Sequence, residues 1–161
     1  MLNLNLPGTI ISEKYQILYV LSQESESVTY AAQNLQTEEP VVLKVLSLKQ
    51  IQNWKSLELF ERESQILFQL NHPSIPQCLE FFQEDTEKDR KFYLVQQRIE
   101  GESLATLIKK GWRPKAQEIW NIAEQVLEIL VYLQKFQPPI IHRDINPHNL
   151  IIAASGKVFF S

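Results

Sequence analysis

The period of the apolar residues changes near residue 100, and that change limits the chain to an α+β fold in two parts. Up to that point apolar and β-branched residues come in short runs, at 15–21, 28–32, 41–47, 79–83 and 92–97, separated by polar connections. One stretch breaks the pattern. Over 53–70, Leu57, Phe60, Leu67 and Leu70 fall at steps of three and seven, one stripe of a helix, and Asn71-His72-Pro73 ends it. The order reads β-β-β-α-β-β, with 22–27 as the polar connection of a first hairpin. After a short glycine-containing linker at 98–102, helices are predicted over 103–110 and 114–137. A polar loop at 142–149 and two small strands around Ser155-Gly156 follow.

The predicted domains are therefore 1–100 and 101–161. The long helix carries Ile119, Ile122, Val126, Ile129, Leu130 and Leu133 on its expected buried side, while Leu127, Val131 and Phe136 add apolar surface elsewhere. Helix 114–137 is thus expected to be covered by protein: a second copy, a different chain or a continuation of this one.

Composition narrows the setting. Of 161 residues, 44% are apolar and 22% charged, ordinary for a globular chain, and the net charge of -3 argues against a nucleic-acid footprint. Cys78 is the only cysteine, so no internal disulfide can form, and a reducing, cytoplasmic location is expected. No apolar run approaches the ~18 residues of a membrane span. His72, His142 and His148 lack the spacing of a zinc site. Cys78, in an apolar run, reads as a small buried residue.

Two charges sit in apolar surroundings. Lys44 lies inside the run 41–47, with Val42 and Leu46 on its own face, and Glu63 lies on the apolar stripe of the first helix. A charge facing a core is costly unless paired, so opposite charges on adjacent elements point to an ion pair. A snorkelling lysine beside a rim glutamate is the alternative.

The segment IIHRDINPHNL, 140–150, resembles the catalytic loop of protein kinases, H-R-D-x-x-x-x-N, with His142, Arg143, Asp144 and Asn149 all matching. The resemblance covers essentially the whole chain. VVLK, ending at Lys44, is similar to the V-A-I-K of that family. FERESQILFQLNHPSIP, 60–76, looks like the helix-to-strand passage of bacterial serine/threonine kinases, and YLVQQRIEGESL, 93–104, resembles their hinge, with Gln96 in the gatekeeper place. The implied fold is a five-stranded antiparallel N-terminal lobe with one helix, then a partial, mostly helical C-terminal lobe.

The implied chemistry is transfer of the γ-phosphate of ATP to a protein hydroxyl. By resemblance, Asp144 is the catalytic base, Lys44 holds the α- and β-phosphates, Glu63 positions Lys44, and Asn149 offers an oxygen to magnesium. Ser22, Ser27, Val42, Gln97, Arg98 and Ile99 line the nucleotide site, and the backbone of 97–99 meets adenine. A protein substrate or regulatory protein is the implied partner.

Three departures bear on activity. Ser22, Glu24 and Ser27 stand in the three glycine places of the phosphate loop, with Glu24 and Glu26 bringing negative charge. Asn146 stands where the family carries Lys. On the resemblance, the D-F-G aspartate, activation loop and most of the helical lobe lie beyond residue 161. ATP and magnesium binding are accordingly expected to be weak or absent, with no phosphotransfer by the chain as given. The rival readings are a pseudokinase-like interaction module and, with less support, a small-molecule kinase of related fold.

Overall fold

The computed structural model describes residues 5–51, 54–87, 89–141 and 145–160. The chain forms two compact units, one of Met1–Leu70 with Gln77–Arg98 and one of Asn71–Pro76 with Ile99–Ser161.

The first unit is an antiparallel sheet. Its strands are β1 (Ile10–Ile11), β2 (Tyr15–Gln23), β3 (Ser27–Asn34), β4 (Pro40–Ser47), β5 (Cys78–Asp85) and β6 (Arg90–Gln97), in the spatial order β1-β2-β3-β4-β6-β5. Five strands are expected from the sequence; the sixth is β1. Two apolar residues are too few to display a period, and the turn before β2 uses Ser12 and Glu13 at φ 51° and 54°, where side chains are uncommon. The first hairpin is also tighter than expected. Ser22 and Gln23 pair with Thr29 and Val28 inside the ladder, so only 24–26 remain as the turn.

Alternation along β4 divides the sheet into two faces. Val41, Leu43 and Val45 join Tyr15, Ile17, Val28, Tyr30, Tyr93 and Val95 in one buried cluster. Within it Tyr15 stacks on Phe82 at 6.2 Å, and Phe82 on Tyr93 at 4.8 Å. Tyr15 is on β2 and Phe82 on β5, which lie four places apart in the strand order, so the sheet curls around this cluster. A polar clasp joins the same two strands: Glu80 Oε2 accepts from Tyr15 Oη at 2.5 Å and from Lys14 Nζ at 2.7 Å.

On the outer face, Leu46, Cys78, Phe92 and Leu94 pack beneath Phe60 of helix α1 (Trp54–Gln69). Leu57 and Leu67 are partly buried against this second cluster, as the three-and-seven spacing predicts. Glu63 departs from the expected apolar stripe: its side chain is 46% exposed, at the rim of the helix–sheet contact.

In the second unit, helix α2 (Leu104–Lys109) is capped by Ser103, whose Oγ accepts from the Thr106 amide at 3.1 Å. Helix α3 (Ala116–Gln134) is shorter at both ends than the predicted 114–137. The three-stranded sheet has the order β7 (Glu102–Ser103), β8 (Leu150–Ile152), β9 (Val158–Phe160). The predicted linker 98–102 thus contributes to a strand. Glycine is required within it: a Cβ on Gly101 would sit 2.7 Å from both Ile151 Cγ2 and the Ile152 carbonyl oxygen.

Gln125 ties α3 to the β8–β9 hairpin. Its Nε2 donates to the Gly156 carbonyl at 3.1 Å and its Oε1 accepts from the Val158 amide at 2.9 Å. Only Ile129 and Leu133 of α3 are buried. Ile119, expected on the buried side, is exposed, as are Trp120, Leu127 and Val131. No helix among the described residues is long and apolar enough to cross a membrane.

Candidate functional site

Lys44 occupies the middle of β4, paired with Thr29 on β3 and Leu94 on β6. Its Nζ lies 3.1 Å from both carboxylate oxygens of Glu63 and 5.8 Å from the centroid of the Phe60 ring. The helix explains the meeting. Phe60 and Ser64 are its buried residues, and burying them against the sheet turns Glu63, between them, toward the Lys44 face.

The Lys44 side chain is 25% exposed, less than Glu63. A half-exposed pair of this kind contributes only ~0–1 kcal/mol to stability. Its value is therefore positional. An ammonium has three N–H donors, and a carboxylate that takes two of them fixes where the third is aimed.

Ser22 and Ser27 lie at opposite ends of the hairpin turn. The Glu24 amide donates to the Ser27 carbonyl at 2.9 Å, and Ser27 Oγ donates to Glu24 Oε2 at 3.1 Å. No residue from 22 to 27 has positive φ. The turn is closed by its own hydrogen bonds and folds the Glu24 carboxylate onto Ser27.

Val42 sits on the Lys44 face, paired with Ala31 and Gln96. Beyond β6, the Gln97 amide donates to Gln77 at 2.9 Å and the Arg98 amide to Pro40 at 3.4 Å, so both are occupied within the unit. The Arg98 guanidinium donates to Tyr19 Oη and lies 5.3 Å from that ring's centroid. Tyr19 is invisible to pattern reading, because register shifts on either side of it break the alternation of β2. Ile99 belongs to the second unit, and its backbone makes no hydrogen bond among the described residues.

In the second unit, Asn149 is half-buried just before β8, its amide donating to the Asn146 carbonyl at 3.1 Å. Asn146 Oδ1 accepts from the His148 amide at 2.8 Å, so the residue in the family's lysine place shapes the loop. His142, Arg143 and Asp144 lie outside the described residues. Among the described residues no group of three or more His, Cys, Asp or Glu side chains could hold a metal ion. Cys78 is buried and its thiol is pushed up to about 11 by desolvation, which removes it as a nucleophile.

Comparison with known proteins identifies the family. The profile described as Protein kinase domain matches residues 15–159. Serine/threonine-protein kinase PrkC of Bacillus subtilis is 30% identical over 153 residues, which are 95% of this chain and 23% of that protein. Serine/threonine-protein kinase B of Synechocystis sp. is 31% identical over 157 residues, covering 88% of this chain and 25% of the relative. CBL-interacting protein kinase 12 of Oryza sativa subsp. japonica is 29% identical, over 94% of this chain and 26% of its own length. The chain spans about a quarter of the length of these curated relatives. With a profile match from the first residue of β2 to within β9, and serine/threonine kinases as its relatives, the chain belongs to the protein kinase domain family.

Proposed function

We propose that the chain forms the nucleotide-holding part of a serine/threonine protein kinase domain that transfers the γ-phosphate of ATP to a protein hydroxyl. The observation that carries this reading is the Lys44–Glu63 pair, with Nζ 3.1 Å from both carboxylate oxygens. Held in that way, Lys44 binds the α- and β-phosphates as a fixed point charge, and Glu63 is its positioning residue. Val42, Gln97, Arg98 and Ile99 border the base, and Ser22 and Ser27 border the phosphates. Asp144 accepts the proton of the attacking hydroxyl.

Magnesium is commonly held by one or two protein oxygens with substrate phosphates supplying the rest, and the Asn149 amide oxygen fits that donor set. The ion supplies charge neutralisation of the phosphates when bound. The partner is a protein, as substrate or regulator.

A second reading, a pseudokinase-like interaction module, is favoured by the turn at 24–26. Its backbone bonds close without glycine, and Glu24 and Glu26 place acids where a polyanion would approach. One experiment separates the readings: incubation with magnesium and γ-labelled ATP plus a serine-rich acceptor protein. Incorporation that disappears in Lys44→Met and Asp144→Asn supports the kinase. ATP binding without incorporation supports the module, and absence of both ATP binding and incorporation sinks the nucleotide-holding reading.

A further inference from the structure

Four residues on four strands form one transverse row on the Lys44 face. Tyr19 pairs with Ala31, Ala31 with Val42, and Val42 with Gln96. Arg98, two residues past Gln96, points to the same side by alternation. Tyr19 belongs to β2 and Arg98 follows β6, so β3 and β4 lie between them. Three strand spacings amount to ~14 Å, and each side chain reaches about half of that. Arg98 itself lies opposite Pro40, two residues along from this row, so the guanidinium and the phenol meet over β3 and β4 between the Val42–Ala31 pair and the Pro40–Gln33 pair. Ala31 is fully buried although it belongs to neither apolar cluster of the sheet.

The contact is built to hold. The guanidinium both donates to Tyr19 Oη and lies 5.3 Å from the ring centroid, combining a hydrogen bond with a cation–π attraction. Its strand exit is anchored by the Gln97 amide on Gln77 and the Arg98 amide on Pro40. Tyr19 lies between two register shifts of β2, which re-aim side chains relative to a regular strand.

We propose that Arg98 and Tyr19 form a latch across the base-binding part of this face, so that a nucleobase docks against Val42 only after the guanidinium has left Tyr19. This rests on the nucleotide-binding reading given above. The latch taxes affinity in proportion to the fraction of molecules in which it is closed. It also makes Arg98 a determinant of which ligands enter: a flat base must displace a flat cation, and a small anion approaching Lys44 need not.

The test uses adenosine, which is uncharged, so that loss of the arginine's charge does not confuse the result. Calorimetric titration of the unchanged protein, Arg98→Ala, Arg98→Lys and Tyr19→Phe with adenosine and with magnesium-ATP reads the latch directly. Arg98→Ala is expected to bind adenosine about ten-fold tighter, with a smaller gain for Tyr19→Phe. Arg98→Lys, which keeps the charge and loses the planar fork, is expected to gain as well. Adenosine binding that is equal or weaker in all three variants, with magnesium-ATP still bound, overturns the latch and leaves the nucleotide reading in place. No binding of either ligand to any of the four proteins overturns the nucleotide reading and the latch with it.

Discussion

The two faces of the six-stranded sheet are made from the same strands and do different work. The inner face is apolar and aromatic throughout, and residues from β2 through β6 close around it. The outer face has its apolar cluster where α1 covers it; the remainder is mixed, carrying Lys44, Thr29, Ala31, Val42, Gln96 and the Arg98–Tyr19 contact. Because strand residues alternate, chemistry can be placed at every second position without touching the core. On the function proposed above, stability and ligand contact are thereby separated within single strands: Leu43 and Lys44 are neighbours in sequence and serve different ends.

The sharpest way to break this comparison is to empty the inner face. Tyr93 is 1% exposed and stacked on Phe82, so Tyr93→Ala is expected to cost ~3–5 kcal/mol in urea denaturation. A cost near that of a surface substitution would show that the sheet does not close as described. The second test acts on the opposite face. Lys44→Met should weaken magnesium-ATP binding by about a hundred-fold while changing unfolding free energy by less than about 1 kcal/mol. A large loss of stability would mean that the pair with Glu63 is structural.

The clasp provides the third. Hydrogen bonds from Lys14 and Tyr15 hold the Glu80 carboxyl below its ordinary value. A depressed carboxylate stabilises the fold above its unfolded pKa, and that contribution disappears as pH falls through the folded value. Glu80→Gln should therefore cost ~1 kcal/mol at pH 7, and the difference from the unchanged protein should shrink under acid conditions. If the difference is the same at pH 7 and at pH 3, the clasp does not depend on ionisation.

The smallest effect belongs to the second unit, where burial lowers the pKa of His72 and its Nδ1 accepts from the Ser74 amide at 3.1 Å. Its neutral form is favoured by folding, so the contribution is present above its ordinary value of 6.5 and is lost as pH falls through the lowered one. His72→Ala should remove a shallow acid slope between neutrality and pH 5, seen as a change of a few tenths of a kcal/mol. Acid sensitivity in that range that persists in the variant would assign it elsewhere.

What could be read from the sequence follows the same division. Val41, Leu43 and Val45 declare the inner face by period two, and Leu57, Phe60 and Leu67 declare the helix stripe by steps of three and seven. Both signals arise from burial, which sequence pattern reports directly. Lys44 was legible because a charge in an apolar run needs a reason. Glu63 reads as part of the apolar stripe, with a rim glutamate as the alternative, and lies exposed at its edge, since a rim position and a core position differ by a fraction of a helical turn. The strands β1 and β7 have two residues each, below any detectable period. Ile119 reads as buried because apolar character marks what a helix can bury, and whether anything covers it is not written in the helix itself. Tyr19 depended on register shifts, which arise from backbone geometry and leave no trace in hydropathy.

The turn at 24–26 has a consequence for how this chain is free to vary. No backbone angle there excludes a side chain, and the closing bonds use the amide of Glu24 and the carbonyl of Ser27, which any residue but proline supplies. Folding consequently exerts no selection for glycine at these positions; only a phosphate group that must come close to the backbone would. On the nucleotide-holding reading proposed above, substitutions there would retune nucleotide affinity while the sheet beneath keeps its shape.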